Sequence, residues 1–428
     1  MKKSSFLGLT TPRFQYDTLL PTLQQAPFNI RTPKRVTLLI ETGPDPAAVV
    51  DIKPGDSVQT GQKLSLNGQS AAYAISSVTG VISAVEPFPG ESGRSYMAVS
   101  IDAFEEERYD TAFETLCDEP TLDLAKNYLC HIPGSLPLKD LTGGKQPIQT
   151  IVINAMDKDL FVMTARYILA TRLKDVKQGI GILKAVTGID SIVLAAPRDT
   201  LQGFGEIGAS AISVDPTYPK GSPYFIAQQL LGREFPVDKP FRDLGLGFIN
   251  IDAVASLGKS FGSKRIDRTK LITFLDKDGN RSLVAARIGT PLHDIFKAFG
   301  LTLNDRDRII IGGPMTGFTV HSDTYPVQPE TDAIMLQDKE DIAFVSDYPC
   351  INCGECIRVC PARIQVHLLI RFLEAGQFEE AADSYDLFSC LECGLCSYVC
   401  VARIPIVQHI KLAKHELGKL NAEETIDE

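Results

Sequence analysis

Eight cysteines between residues 350 and 400 constrain this chain more than anything else in it. They form two quartets, Cys350, Cys353, Cys356, Cys360 and Cys390, Cys393, Cys396, Cys400, with each member of the second 40 residues after its counterpart. Both read C-x2-C-x2-C-x3-C, a thiolate run that holds iron–sulfur clusters. Three thiolates two residues apart can wrap a tight loop around three irons of a cubane. The fourth, expected at the start of the next helix, is free to ligate the other cluster. The spacing therefore assigns Cys350, Cys353, Cys356 and Cys400 to one [4Fe–4S] cluster, and Cys390, Cys393, Cys396 and Cys360 to a second. Gly354 and Gly394 stand where backbone must come close to sulfide. Pro361 follows Cys360, and proline there is expected to start a helix; Val401 takes its place in the second copy. Zinc sites and free core thiols are the competing readings. Zinc prefers ligand pairs separated by long loops, and free thiols have no reason to repeat at one register.

The rest of the composition narrows the class. A chain of 428 residues with 44% hydrophobic and 22% charged residues should fold into two to four domains. No run of about 18 apolar residues exists to span a membrane. A net charge of −10 excludes a broad grip on nucleic acid. The first residues, Met1 to Pro12, lack the apolar stretch of a signal peptide, so the expectation is a reducing cytoplasm without structural disulfides. Cys117 and Cys130 then read as unpaired structural thiols. His131, His293, His321, His367, His409 and His415 are scattered without metal-ligand spacing. Neither a nucleophile elbow nor a P-loop is visible.

The texture along the chain suggests a multidomain α+β and α/β protein. Residues 1–30 have no clear period and read as an arm packed on something else. Residues 31–103 carry short β-runs broken by turns, at Arg35–Ile40, Lys53–Val58, Gly61–Leu64 and Ile75–Ile82, suggesting a small barrel or sandwich. The K-P-G-D-x-V-x-x-G-x-x-L string from Lys53 to Leu64 resembles biotinyl- and lipoyl-type barrel-sandwich modules. No modifiable lysine sits at a hairpin tip, so a scaffold is expected rather than a swinging carrier. Residues 128–262 alternate strands (Ile151–Asn154, Asp190–Ala196) with helices (Leu160–Leu173, Gly179–Val186, Ser222–Leu231), as a Rossmann-like parallel sheet does. Residues 263–330 look like a β-grasp module, and residues 340–416 like an α-helical dicluster ferredoxin domain with helices Arg363–Ala375 and Ile406–His415.

In this order the modules resemble the RnfC family, the C subunit of the Rnf-type ion-translocating oxidoreductase, over about residues 31–415. The resemblance rests on Arg287-Ile288-Gly289-Thr290-Pro291-Leu292, on Ile311-Gly312-Gly313-Pro314-Met315-Thr316-Gly317, on both cysteine quartets, and on Ser397-Tyr398-Val399-Cys400 with Ile404-Pro405. Tyr218-Pro219-Lys220-Gly221 and Leu230-Leu231-Gly232-Arg233-Glu234-Phe235-Pro236 are similar to the family's flavin-domain segments. It implies an electron-transfer subunit of a cation-pumping membrane complex. Two [4Fe–4S] clusters would relay electrons between a soluble or cytochrome carrier and integral membrane subunits. The chain would sit peripherally on the cytoplasmic face of the inner membrane, and would act as part of a translocase.

One departure matters. Family members that oxidise NADH carry G-x-G-G-A-G-F-P-T before the first strand of the flavin domain, where glycines let backbone N–H groups reach phosphates. Here the stretch reads Pro137-Leu138-Lys139-Asp140-Leu141-Thr142-Gly143-Gly144-Lys145. The family's N-G-A-E-C-E-P string becomes Asn154-Ala155-Met156-Asp157-Lys158-Asp159. Gly179 with Gly181, and Gly203 with Gly205, are isolated pairs of the kind turns use. FMN is therefore not expected, nor is independent NADH dehydrogenase activity. The alternatives are a flavin-dependent NAD(P)H dehydrogenase subunit with FMN retained, and a non-catalytic scaffold.

Overall fold

The computed structural model describes residues 12–16, 25–42, 52–66, 72–90, 94–142, 147–201, 207–237, 239–346 and 348–427. Met1 to Thr11, Gly143 to Lys145, Gly203 and Gly205 lie outside the described residues. Strand β1 (Phe28–Asn29) precedes a first module of β2 (Arg35–Glu41), β3 (Ser57–Val58), β4 (Lys63–Ser65), β5 (Tyr73–Ile75), β6 (Gly80–Pro89) and β7 (Ser95–Ala103). An antiparallel sheet runs β2-β7-β6-β3, beside a β4-β5 ribbon. Val36, Leu38 and Ile40 alternate along β2, so the period of two sends all three into one core with Val99 and Ile101.

Helices α1 (Ala112–Asp118), α2 (Leu122–Tyr128) and α3 (Leu138–Thr142) lead into the second unit. It comprises β8 (Thr150–Asn154), α4 (Thr164–Thr171), α5 (Leu173–Thr187), β9 (Ser191–Pro197), β10 (Ser210–Val214), α6 (Pro223–Leu231), β11 (Leu246–Asn250) and α7 (Ile251–Ser263). Its sheet is parallel throughout, in the order β10-β9-β8-β11. β8 and β9 are buried almost end to end, as strands covered on both faces should be. On one face α5 and α7 meet at glycines, because a Cβ on Gly179 or Gly258 would collide with a carbonyl of the facing helix. The helix expected over Leu160–Leu173 forms only from Thr164 to Thr171, and the next begins at Leu173 rather than Gly179. Phe161 sits at φ 67°, which cannot continue a right-handed helix.

The third unit is a six-stranded mixed sheet. Its strands β12 (Thr269–Leu275), β13 (Arg281–Arg287), β14 (Arg308–Ile311), β15 (Phe318–Val320) and β16 (Ala333–Gln337) join β1 in the order β1-β13-β12-β16-β14-β15. It thus reaches beyond residues 263–330 at both ends: Phe28 pairs with Val284, and β16 lies centrally, parallel to β12. Helix α8 (Leu292–Ala298) packs Leu292, Ile295 and Phe296 into its core. Lys270 on β12 is fully buried, and its ammonium donates to Asp252 on α7 and, at 2.8 Å, to Asp332. A charge can stay there only because it is paired.

The last unit holds α9 (Glu355–Val359), α10 (Val366–Glu374), α11 (Phe378–Ser384), α12 (Leu395–Val399) and α13 (Ile406–Asp427). The 40-residue repeat is also a repeat of backbone conformation. Asn352 and Glu392 take φ 59° and 53°, Gly354 and Gly394 take 74° and 77°, and Arg363 and Arg403 both take 58°. These left-handed residues correct two sequence expectations. Cys360 and Cys400 end α9 and α12 instead of starting the next helices. Pro361 lies in a turn, and α10 opens only at Val366, past the left-handed Arg363.

Candidate metal centre

The structure brings the eight thiols together crosswise. Cys356 has Cys350, Cys353 and Cys400 as its thiol neighbours, while Cys396 has Cys390, Cys393 and Cys360. We call these the outer and inner quartets. A small apolar cavity is lined by Cys360, Cys390, Cys393 and Cys396, with Ile364, Leu391, Val407 and Ile410 around them. Burial first, and the neighbouring thiols second, push Cys356 and Cys393 up to about 12, and Cys396 upward as well. Cys356, Cys393 and Cys396 therefore hold their protons at neutral pH, and iron must displace them. Backbone N–H groups already point at sulfur: Glu392 donates to Cys390 Sγ at 3.3 Å and Ile404 to Cys400 Sγ at 3.4 Å. Among the described residues no three His, Cys, Asp or Glu side chains converge on a single ion. A cubane does not require that, since each thiolate takes its own iron. The residues fit two such groups.

The inner quartet is pressed against the rest of the chain. A Cβ on Gly394 would collide with the Met315 carbonyl, whereas one on Gly354 meets no atom within 4 Å. The Tyr218 hydroxyl donates to the Cys393 carbonyl at 2.7 Å. Leu395 enters a core shared with Tyr16, Met156 and Leu160, and Phe14 meets Tyr398 edge-on at 4.9 Å. On α13, Lys414 Nζ donates to the Cys390 carbonyl at 2.9 Å and pairs with Glu392 at 2.8 Å, and Lys411 donates to the Thr316 carbonyl at 3.1 Å.

Met315 and Thr316 belong to the loop after β14, which Asp159 clamps. This carboxylate, 1% exposed, accepts from the backbone N–H groups of Met315 (3.1 Å), Thr316 (2.7 Å) and Leu160 (2.6 Å) and from the Thr316 hydroxyl (2.6 Å). Burial raises the Asp159 pKa while these donors pull it back. The spacing of the cysteines carries no signal for this clamp, nor for Tyr16 and Tyr218. Lys414 could have been noticed, because the matching position of the first repeat is Glu374.

In an open parallel sheet, ligands bind outside the carboxyl ends of the strands where strand order reverses, here between β8 and β11. The chain's own groups occupy that region. Tyr16, 2% exposed, lies against Gly221 and Met156, its N–H donating to the Pro216 carbonyl at 2.9 Å. Asp157 and Arg166 form a buried pair at 3.2 Å beside it, and the Asn154 amide donates to the Gly221 carbonyl at 3.1 Å. At the N-terminus of α7, where a phosphate would sit, Gly134 packs on the backbone of Asp252 and Ala253.

Thiols at cubane spacing on a twofold helical repeat define an iron–sulfur protein, and residues 343–401 match the 4Fe-4S dicluster domain family. The chain is, more particularly, similar to the C subunit of the ion-translocating oxidoreductase complex. It is 29% identical to that protein of Yersinia enterocolitica over 93% of its own length and 60% of the relative's. For the Pseudomonas aeruginosa protein the identity is 27%, over 86% of this chain and 50% of the relative, and for Edwardsiella ictaluri 31%, over 66% and 37%. The chain thus spans from about a third to three fifths of the length of these relatives. A looser likeness, at 14% identity and a TM-score of 0.48, joins 71% of it to 64% of a chain of the NAD+-reducing [NiFe]-hydrogenase in the H2-reduced state. No helix among the described residues is long and apolar enough to cross a membrane.

Proposed function

We propose that this chain is the iron–sulfur electron-transfer subunit of an Rnf-type ion-translocating oxidoreductase complex. The observation that carries the reading is the crosswise meeting of the quartets, Cys400 with Cys350, Cys353 and Cys356, and Cys360 with Cys390, Cys393 and Cys396. These residues would hold two [4Fe–4S] clusters, which supply one-electron redox chemistry when bound. The chain's part is to place and tune them: thiolates ligate, nearby N–H groups offset negative charge on sulfur, and the cavity wall excludes water. The carrier that supplies or takes the electron is a soluble protein or a cytochrome, and the other partners are integral membrane subunits. The chain docks peripherally on the cytoplasmic face of the membrane through those subunits.

Flavin does not fit the crevice of the parallel sheet. Tyr16 and the Asp157–Arg166 pair crowd the crevice beyond β8, and Gly134 packs on the first turn of α7, which supports this reading. On this reading the chain holds no FMN and is not an NADH dehydrogenase by itself. The test is anaerobic purification followed by iron, sulfide and flavin analysis. About eight irons and eight sulfides per chain, no extractable flavin and no spectral change with NADH are expected. Four or fewer irons in folded protein would refute the dicluster reading, and stoichiometric FMN bleached by NADH would favour the dehydrogenase alternative. Deleting the integral subunits should move the chain from the membrane pellet to the soluble fraction; a chain that still pellets would refute docking through them.

A further inference from the structure

The two halves of the repeat share one backbone conformation, so they act as each other's control. Cys356 and Cys396 are equally exposed, at 7% and 8%, but Gly394 packs on Met315 while Gly354 faces open space, so burial by itself disfavours added negative charge on the inner cluster. Charge acts the other way. In the inner half, the Lys414 ammonium sits 2.9 Å from the Cys390 carbonyl oxygen and is only 20% exposed. Glu392 pairs with it but is 35% exposed, so solvent screens the acid more than the base. The corresponding positions of the outer half are Glu374 and Asn352, which replace a neutral pair by a net negative charge. The second difference is Tyr218. Its O–H dipole points its positive end at the Cys393 carbonyl, and among the described residues no hydroxyl donates to the carbonyl of Cys353.

A cluster that accepts an electron becomes more negative. A fixed ammonium and an aligned O–H donor therefore stabilise its reduced form more than its oxidised form. We propose that Lys414 and Tyr218 make the two cluster sites unequal, setting the inner one at the higher potential. An electron shared by the pair then rests beside the parallel sheet, and the outer quartet, with open space over Gly354, is the lower-potential side. This rests on the dicluster reading above and goes beyond it, since neither the cysteine spacing nor the family resemblance orders the clusters.

The test is a potentiometric titration of the anaerobically purified full chain with dithionite, followed by electron paramagnetic resonance. Two signals should appear in succession. Lys414→Met should shift the first to appear by at least tenfold in its reduction equilibrium, about 59 mV downward for a one-electron couple, and leave the second in place. Lys414→Arg should keep the wild-type order, and Tyr218→Phe should move the same signal in the same direction by less. Glu374→Lys, at an exposed position, copies the inner arrangement onto the outer half and should raise the second signal. The proposal is overturned if the clusters titrate together, if Lys414→Met moves the second signal or both alike, or if Glu374→Lys moves neither. Iron content separates the two levels of failure. Eight irons with equal potentials defeat only the inequality, while four or fewer defeat the dicluster reading and the inequality with it.

Discussion

Asp159→Ala should loosen the loop that packs against the inner quartet at Gly394, and its cost can be worked from the bonds it removes. The carboxylate takes two backbone N–H groups from that loop, at 3.1 Å from Met315 and 2.7 Å from Thr316, in a site 1% exposed. A hydrogen bond to a charged group contributes about 1.5–3 kcal/mol, which gives roughly 3–6 kcal/mol for the pair. The Thr316 hydroxyl can turn elsewhere, and water entering the vacated space recovers part of the loss. We expect about 3–5 kcal/mol of local destabilisation. Hydrogen exchange read by mass spectrometry is the suitable assay, because a multidomain chain has no single unfolding free energy. At about 1.4 kcal/mol per factor of ten, amide exchange over residues 312–317 should speed up by at least 100-fold. Asp159→Asn keeps one acceptor and sets an amide N–H2 against the loop's donors, so it should fall between. If the alanine variant exchanges within about threefold of wild type over these residues, the clamp contributes little and the reasoning is wrong.

Gly394→Ala and Gly354→Ala both strain a left-handed residue, at φ 77° and 74°, by about 1–2 kcal/mol. Only the first should also lose inner-cluster iron and the docking on Met315, and equal losses would mean that conformation alone requires these glycines. Cys360→Ser should damage the signal of the cluster held mainly by Cys390, Cys393 and Cys396; damage confined to the other would refute crossed ligation. Burial works to raise the pKa of Glu107, but Arg287, Tyr109 and Arg268 hold it at about 2, below the ordinary 4.5. Its stabilising contribution is complete above about pH 4.5 and lost as pH falls towards 2. Glu107→Gln should therefore lower local stability at neutral pH by about 1–2 kcal/mol and flatten that acid limb, which hydrogen exchange around Thr60 and Arg287 across the pH range can check.

The local devices of this chain were legible in its sequence, and the long-range ones were not. Cysteine spacing placed the thiols because a cubane loop is a local structure, and Gly354 and Gly394 announced their backbone. Strand β2 over Arg35–Glu41 followed from its β-branched and aliphatic run, and α6 from Ser222 before Pro223 with Gly232 past its end. Helix starts misled where one left-handed residue, Phe161 or Arg363, overrode the apolar period. Tyr16 could not be foreseen: its segment has no periodicity, and its neighbours at Pro216 and Gly221 lie some 200 residues away. β16 was hidden for the same reason, since its partners in β12 are separated from it by a helix and three strands.

The pairing of Phe28 with Val284 has a consequence for how the chain is made. The ribosome must add some 250 residues after β1 before its partner strand exists, roughly 10–50 s at ordinary elongation rates of about 5–20 residues per second. Gln15 waits almost as long for Thr217, and Tyr16 for Gly221. The β1 segment therefore cannot take its place before β13 is made, although it leaves the ribosome well ahead of it. Meanwhile the intervening sheet can form its own core, but the free edge of β13 and the apolar ground meant for Tyr16 stay open to wrong partners. Because the entropy of closing so long a loop must be overcome before the distant strands can pair, closing this belt is a late step. Removing the arm should therefore spare early compaction and affect the final consolidation of the fold.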